Sequence, residues 1–211
     1  MRTWASGAPW DKMGHKPMNS TQQPKTSVNK YVDELISSEF HYYFGFFANT
    51  VLVIFFMVQP MHYALGQWSM ALDTTLGLFV AGYFAWTLLE YVMHRWLYHE
   101  IQSLFAKGHQ MHHEEPLSLL GIPWLLNTLI ILLVFWAGAA LSAVDTAGLF
   151  LGGFWLGYLN YTIIHYGLHH WKLENHVWRQ LWKHHKIHHK LPDKNIGVSV
   201  TFWDYVFRTK A

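Results

Sequence analysis

Residues 122–141 read IPWLLNTLIILLVFWAGAAL, a run without one charged side chain, with Pro123 near its start and Asp145 just beyond its end. A helix rises about 1.5 Å per residue, so a run of this length matches the ~30 Å hydrocarbon layer of a bilayer. Outward from it lie three further apolar stretches, each of about 17–25 residues: Tyr42–Tyr63, Thr75–Met93 and Ala147–Ile164. A soluble chain of 211 residues cannot bury four such helices in one core. The pattern predicts an all-α integral membrane protein with four transmembrane helices.

Orientation follows from the basic residues. Arg2, Lys12, Lys16, Lys25 and Lys30 precede the first span, Arg95 and Lys107 lie between the second and third, and the other eight Lys and Arg follow the fourth. The short connections at about 64–74 and 142–146 carry none. By the positive-inside rule both termini are cytoplasmic, and residues 94–121 and 165–211 form a cytoplasmic helical cap. The formal net charge of +2 therefore reflects topology and gives no sign of a nucleic-acid partner. Residues 1–40 are polar, without a cleavable signal, and are expected to be a mobile cytoplasmic segment or to lie on the membrane surface; 41–211 form the membrane domain. A bacterial inner membrane is the expected location, or the endoplasmic reticulum in a eukaryotic source. Gly148, Gly152, Gly153 and Gly157 make two small-xxx-small patterns, expected to serve packing within the chain more than a dimer seam.

Thirteen of the sixteen histidines fall between His94 and His189, twelve of them in the clusters HRWLYH (94–99), HQMHH (109–113), HYGLHH (165–170) and HHKIHH (184–189). His15, His41, His62 and His176 read as isolated residues. Imidazole is the commonest metal ligand, and one ion takes about three or four protein ligands, so the clusters predict two metals in one site. All four clusters flank the cytoplasmic ends of the spans. In each HxxHH the members stand at i, i+3 and i+4 and share a helix face, as do His165 and His169. His94 and His99 are five apart, about 140° around an ideal helix, and require a helix end or a distortion between them. The absence of cysteine excludes disulfides, thiolate zinc sites and cysteine-held iron–sulfur clusters.

The sequence resembles the integral-membrane fatty acid hydroxylase and sterol desaturase superfamily. HRWLYH matches its HxxxxH box, HQMHH and HKIHH match its HxxHH boxes, and GYLNYTIIHYGLHH (157–170) is similar to its glycine-tyrosine helix ending in HxxxHH. The closing GVSVTFWDYVFRT (197–209) is similar to the end of fatty acid 2-hydroxylases, and the resemblance covers about residues 75–209. Thr162 stands where the 2-hydroxylase pattern commonly has a carboxylate, and EEPLSLLGIP (114–123) lacks an arginine and a paired-proline element.

The resemblance implies two iron ions, with zinc as a substitute, dioxygen as co-substrate, and oxygen insertion into an unactivated C–H bond of a membrane lipid. It implies as metal ligands His94, His99, His109, His112, His113, His165, His169, His185, His188 and His189. His170 and His184 are further metal or orienting candidates, with His184 about 100° off the face of the last box. Glu90, four residues before His94, either orients a ligand histidine or faces water. Asn160 and Tyr161 are candidates to line the substrate entrance. No flavin, nicotinamide or haem fingerprint is present, so electrons are expected from a separate protein of cytochrome b or ferredoxin type. Hydroxylation at carbon 2 of a fatty acyl chain is the favoured reading. A carotenoid ring hydroxylase, a sterol-type desaturase and a polar-lipid hydroxylase are its rivals within the superfamily. Outside it, a non-catalytic metal-binding protein or a metal transporter remains, although a transporter would place ionisable groups near the bilayer midplane.

Overall fold

The computed structural model describes residues 34–35, 37–67, 70–121 and 123–211; the side chains of 57–67 and 104 are not described. The expectations for residues 1–33 thus lie outside the described residues. What is described is helical: α1 Glu39–Gln67, α2 Leu72–Val92 continuing into a π-helical turn Met93–Tyr98, α3 Leu104–Glu114, α4 Trp124–Leu141, α5 Val144–His170, α6 His176–Lys190 and α7 Phe202–Val206.

Among the described residues, three helical stretches have the length and composition to cross a membrane: Leu72–Tyr98, Trp124–Leu141 and Val144–His170, with mean hydropathies of 1.5, 2.1 and 1.2. Their outer faces are apolar and uncovered, as at Val80, Phe84, Leu129, Leu133 and Trp136, which in water would be an unsustainable patch. The helices that hold the second and fourth predicted spans extend beyond them. Both helices run on, to Tyr98 and His170, because histidines that lower the hydropathy still keep the backbone helical and turn inward.

α2 and α5 are in direct backbone contact. A Cβ built on Gly82 would stand 1.9 Å from Phe150 O, and one on Gly153 would stand 1.9 Å from Phe79 O. Gly152 packs on Phe56 of α1 and Gly157 on Trp86 of α2, so the glycine pattern serves internal packing. α1, α4 and α5 meet around Val53, Phe56, Ile131, Phe135, Leu151 and Trp155. Inside that core Asn49 Oδ1 accepts from Asn127 Nδ2 at 3.0 Å and from Trp155 Nε1 at 3.1 Å, while Asn49 Nδ2 donates to Gly45 O at 2.7 Å. Buried polar groups of this kind fix which helices pair, because each would be costly without its partner.

Candidate metal centre

The site is assembled from the ends of α2 and α5 and from the short helices α3 and α6. Each short helix starts at a capping side chain: Ser103 Oγ accepts from Ala106 N at 3.0 Å, and Asn175 Oδ1 from Trp178 N at 2.8 Å, satisfying a first-turn N–H that has no helical partner. Between His94 and His99 the chain makes the π turn Met93–Tyr98. This i→i+5 winding is the distortion that five-residue spacing requires, and it turns both imidazoles to the same side.

Ten histidines meet in two groups: His94, His99, His109, His113 and His188 in the first, His112, His165, His169, His185 and His189 in the second. Within each group the ligand nitrogens all lie within 4.8 Å of one another. The two HxxHH boxes are shared reciprocally. His109 and His113 of one box enter the first group and His112 the second; His185 and His189 of the other box enter the second group and His188 the first. The i and i+4 members thus serve one centre and the i+3 member its neighbour. The groups adjoin, with the His113 and His189 rings stacked at 4.3 Å.

Within the groups Nε2 faces Nε2: His94 to His109 at 3.0 Å, His99 to His188 at 3.2 Å, His109 to His113 at 2.9 Å, His112 to His165 at 3.0 Å and His169 to His185 at 2.8 Å. Nitrogens bound at about 2.0–2.1 Å to one ion, at right angles, stand about 3.0 Å apart. The tautomers agree with this. His94 Nδ1 is 2.6 Å from Ile196 O and His188 Nδ1 is 3.0 Å from Lys194 O; a carbonyl accepts only from N–H, so both Nε2 atoms point bare lone pairs inward. Lone pairs converging in a buried space fit a bound cation.

Electrostatics favours the neutral, ligating form. For His109, His112, His113, His185, His188 and His189, burial first and neighbouring imidazolium charges second hold protonation below the ordinary 6.5, to about 3 for His113. An unfolded chain keeps imidazoles near 6.5 and takes up the protons that the folded site refuses. Stability of the metal-free protein is therefore expected to be constant above about pH 7.5 and to fall steadily as pH drops below about 6.5. Thermal unfolding in detergent across pH 8 to 5 checks this; a melting temperature that rose on acidification would contradict it.

A family model described as fatty acid hydroxylase matches residues 79–209, which hold every histidine of both groups. The chain belongs to the fatty acid hydroxylase family. Among its relatives are the dihydroceramide fatty acyl 2-hydroxylases FAH1 and FAH2 of Arabidopsis thaliana. FAH1 is 31% identical over 175 residues, 75% of this chain and 74% of that protein, and FAH2 is 39% identical over 144 residues, 64% and 61%. This chain thus spans less than two thirds of FAH2. The structure of full-length Scs7p, with only its hydroxylase domain visible, superposes with a TM-score of 0.70 at 26% identity, covering 86% of this chain and 70% of that one.

The remaining residues singled out in this hydroxylase-family chain lie around the two groups. His170 stacks on Tyr166 at 4.2 Å and belongs to neither group. His184 is buried outside both, with Nε2 3.0 Å from Asp204 Oδ2 and Nδ1 3.1 Å from Lys210 Nζ. Tyr161 stacks on His165 at 5.5 Å, and Asn160 Nδ2 donates to Tyr83 OH at 2.9 Å. His41 and His176 stand apart from both groups.

Of the two alternatives for Glu90, the one in which it faces water is excluded. It is buried away from water and touches no ligand histidine; it accepts from Val198 N at 2.8 Å, from Ser199 N at 3.0 Å and from Ser199 Oγ. The reason is that the chain segment after α6 folds back over α2 and covers the carboxylate with its own N–H groups.

Sequence reasoning missed that segment's key residue, Asp204. It is fully buried and accepts from Ile196 N, Gly197 N and Thr209 Oγ1 as well as facing His184. Burial alone would raise its pKa, but the contacts from His184, Thr209 and Gly197 outweigh this and hold the carboxyl below its ordinary value. The only signal for it was the closing GVSVTFWDYVFRT, which carries resemblance without saying what the aspartate does.

Proposed function

We propose that this fatty acid hydroxylase family enzyme is a membrane-bound monooxygenase that inserts an oxygen atom at carbon 2 of a fatty acyl chain, using dioxygen and electrons from a separate donor protein. The observation that carries the reading is the pair of five-imidazole groups at the ends of membrane-length helices, in a chain whose relatives include fatty acyl 2-hydroxylases. His94, His99, His109, His113 and His188 would hold one ion and His112, His165, His169, His185 and His189 the other. Iron is the proposed metal, with zinc as a substitute, since imidazole accepts both. Two bound iron ions supply the activation of dioxygen and the oxidising power for an unactivated C–H bond.

The chain's own residues do the rest. They aim ten imidazoles into the two groups, and they exclude water from the reacting carbon. Tyr161, stacked on His165, and Asn160, tied to Tyr83, stand on α5 between its apolar midsection and the histidines. We assign them to the path by which an acyl chain rises from the bilayer.

In this reading α1 is a fourth span and residues 41–211 form the membrane domain. Both termini and the residues at 94–121 and 165–211 face the cytoplasm, where a donor of cytochrome b or ferredoxin type delivers electrons. The curated relatives are plant, mammalian and yeast proteins, which accords with an endoplasmic-reticulum membrane; the bacterial alternative gains no support from them.

The test is lipid mass spectrometry of cells expressing the protein under labelled dioxygen. The expected product is a 2-hydroxy fatty acyl lipid carrying one labelled oxygen atom. An unlabelled new double bond would establish a desaturase in its place, and label in a carotenoid ring or a headgroup would move the substrate to one of the rival classes.

A further inference from the structure

Four consecutive backbone N–H groups end on two buried carboxylates. Ile196 N donates to Asp204 Oδ1 at 2.7 Å and Gly197 N to Asp204 Oδ2 at 3.0 Å; Val198 N and Ser199 N donate to Glu90 Oε1 at 2.8 and 3.0 Å. The same segment meets the histidines through its carbonyls. Ile196 O accepts from His94 Nδ1 and Lys194 O from His188 Nδ1, and both histidines belong to the first group.

One peptide unit, Ile196–Gly197, therefore links a carboxylate to a ligand. Its N–H donates to Asp204 and its C=O accepts from His94. A peptide polarised by an anion at its N–H becomes a stronger acceptor at its oxygen. A stronger acceptor at Nδ1–H holds the tautomer and ring orientation and raises the basicity of Nε2. The arrangement is a carboxylate–histidine–metal relay with a peptide inserted. Gly197 permits it, since a Cβ there would stand 2.2 Å from Val200 O and 3.0 Å from Asp204 Oδ2. The second group is built differently: among the described residues, His185 Nδ1 is buried with no hydrogen-bond partner.

Resting on the two-metal reading above, we propose that Asp204 is a positioning residue for the ion of the first group, acting through the Ile196–Gly197 peptide on His94, with Glu90 bracing the next two residues of the turn. The two ions are then bound with unequal strength, and the difference is written in Asp204 and Glu90.

Titration of the metal-depleted full chain in detergent with cobalt(II), followed by its d–d absorption, tests this. Each site is isolated by removing two ligands of the other: His165→Ala with His189→Ala leaves the first, and His99→Ala with His113→Ala leaves the second. Asp204→Asn keeps the shape but loses the charge and one acceptor. It is expected to weaken cobalt binding about 10- to 100-fold at the isolated first site, the usual cost of losing a partner behind a ligand, and to leave the isolated second site within about twofold. Glu90→Gln, a milder change that acts on Val198 and Ser199 of the same turn, is expected to weaken the first site in the same sense and covers the case in which Asp204→Asn fails to fold. Equal weakening of both sites would reduce Asp204 to a general structural role and overturn the proposal, as would unchanged binding at the first site in both variants. Wild-type protein that binds fewer than two cobalt ions would overturn the two-metal reading itself and this inference with it.

Discussion

His188→Ala and His112→Ala are each expected to strip one of the two metal groups and to abolish turnover. His188 is completely buried, its Nδ1 bound to Lys194 O and its Nε2 3.2 Å from His99 Nε2. His112 occupies the equivalent place in the second group, 3.0 Å from His165. Alanine offers no lone pair to take the place of the lost imidazole nitrogen. The loss should therefore exceed the roughly 10–100-fold cost of removing a partner behind a ligand. Metal analysis by mass spectrometry should find about one ion per chain, against about two in the parent, one for each imidazole group. His184→Ala makes the contrast. It lies four residues before His188 but belongs to neither group, so metal content should stay near normal. Its cost is to stability, on the order of 1–3 kcal/mol, because Asp204 loses one of several partners while keeping the others. Should His184→Ala lose metal while His188→Ala keeps both ions, the register of α6 assigned here is wrong and the ligand set must be redrawn.

How far the sequence reveals this molecule depends on the range of the interactions involved. Hydropathy over 122–141 and the HxxHH spacings are local properties, so the helices and the convergence of histidines were readable. The five-residue gap from His94 to His99 demanded a distortion, and the π turn Met93–Tyr98 meets that demand. Helical phase could not divide the ligands, because one helix face is broad enough to serve two adjoining centres. Only the packing of α3 against its neighbours sends His109 and His113 one way and His112 the other. Glu90 and Asp204 were hardest to read. Their partners lie in a turn that Glu90 reaches across 108 residues of sequence, at Val198, and no period or composition marks such a contact.

The same logic makes the glycines of the α2–α5 contact the most sensitive positions away from the histidines. Gly153→Val is expected to yield little folded protein, and what folds should hold less metal. Its Cβ would fall 1.9 Å from Phe79 O and 2.8 Å from Phe79 C, backbone atoms that cannot rotate away as a side chain does. α2 and α5 must then separate or slide. Overpacking of a tight interface typically costs about 1–3 kcal/mol and more where backbone has to move. α2 leads directly into His94 and His99, while α5 carries His165 and His169, so a shift between them displaces ligands of both groups at once. Gly77→Val is the control, since a Cβ at Gly77 on the same helix pair meets nothing within 4 Å. Detergent size-exclusion yield and metal content per chain distinguish the two variants. If Gly153→Val folds and loads metal as Gly77→Val does, the close approach of α2 and α5 is not what fixes the distance between the two ends of the site.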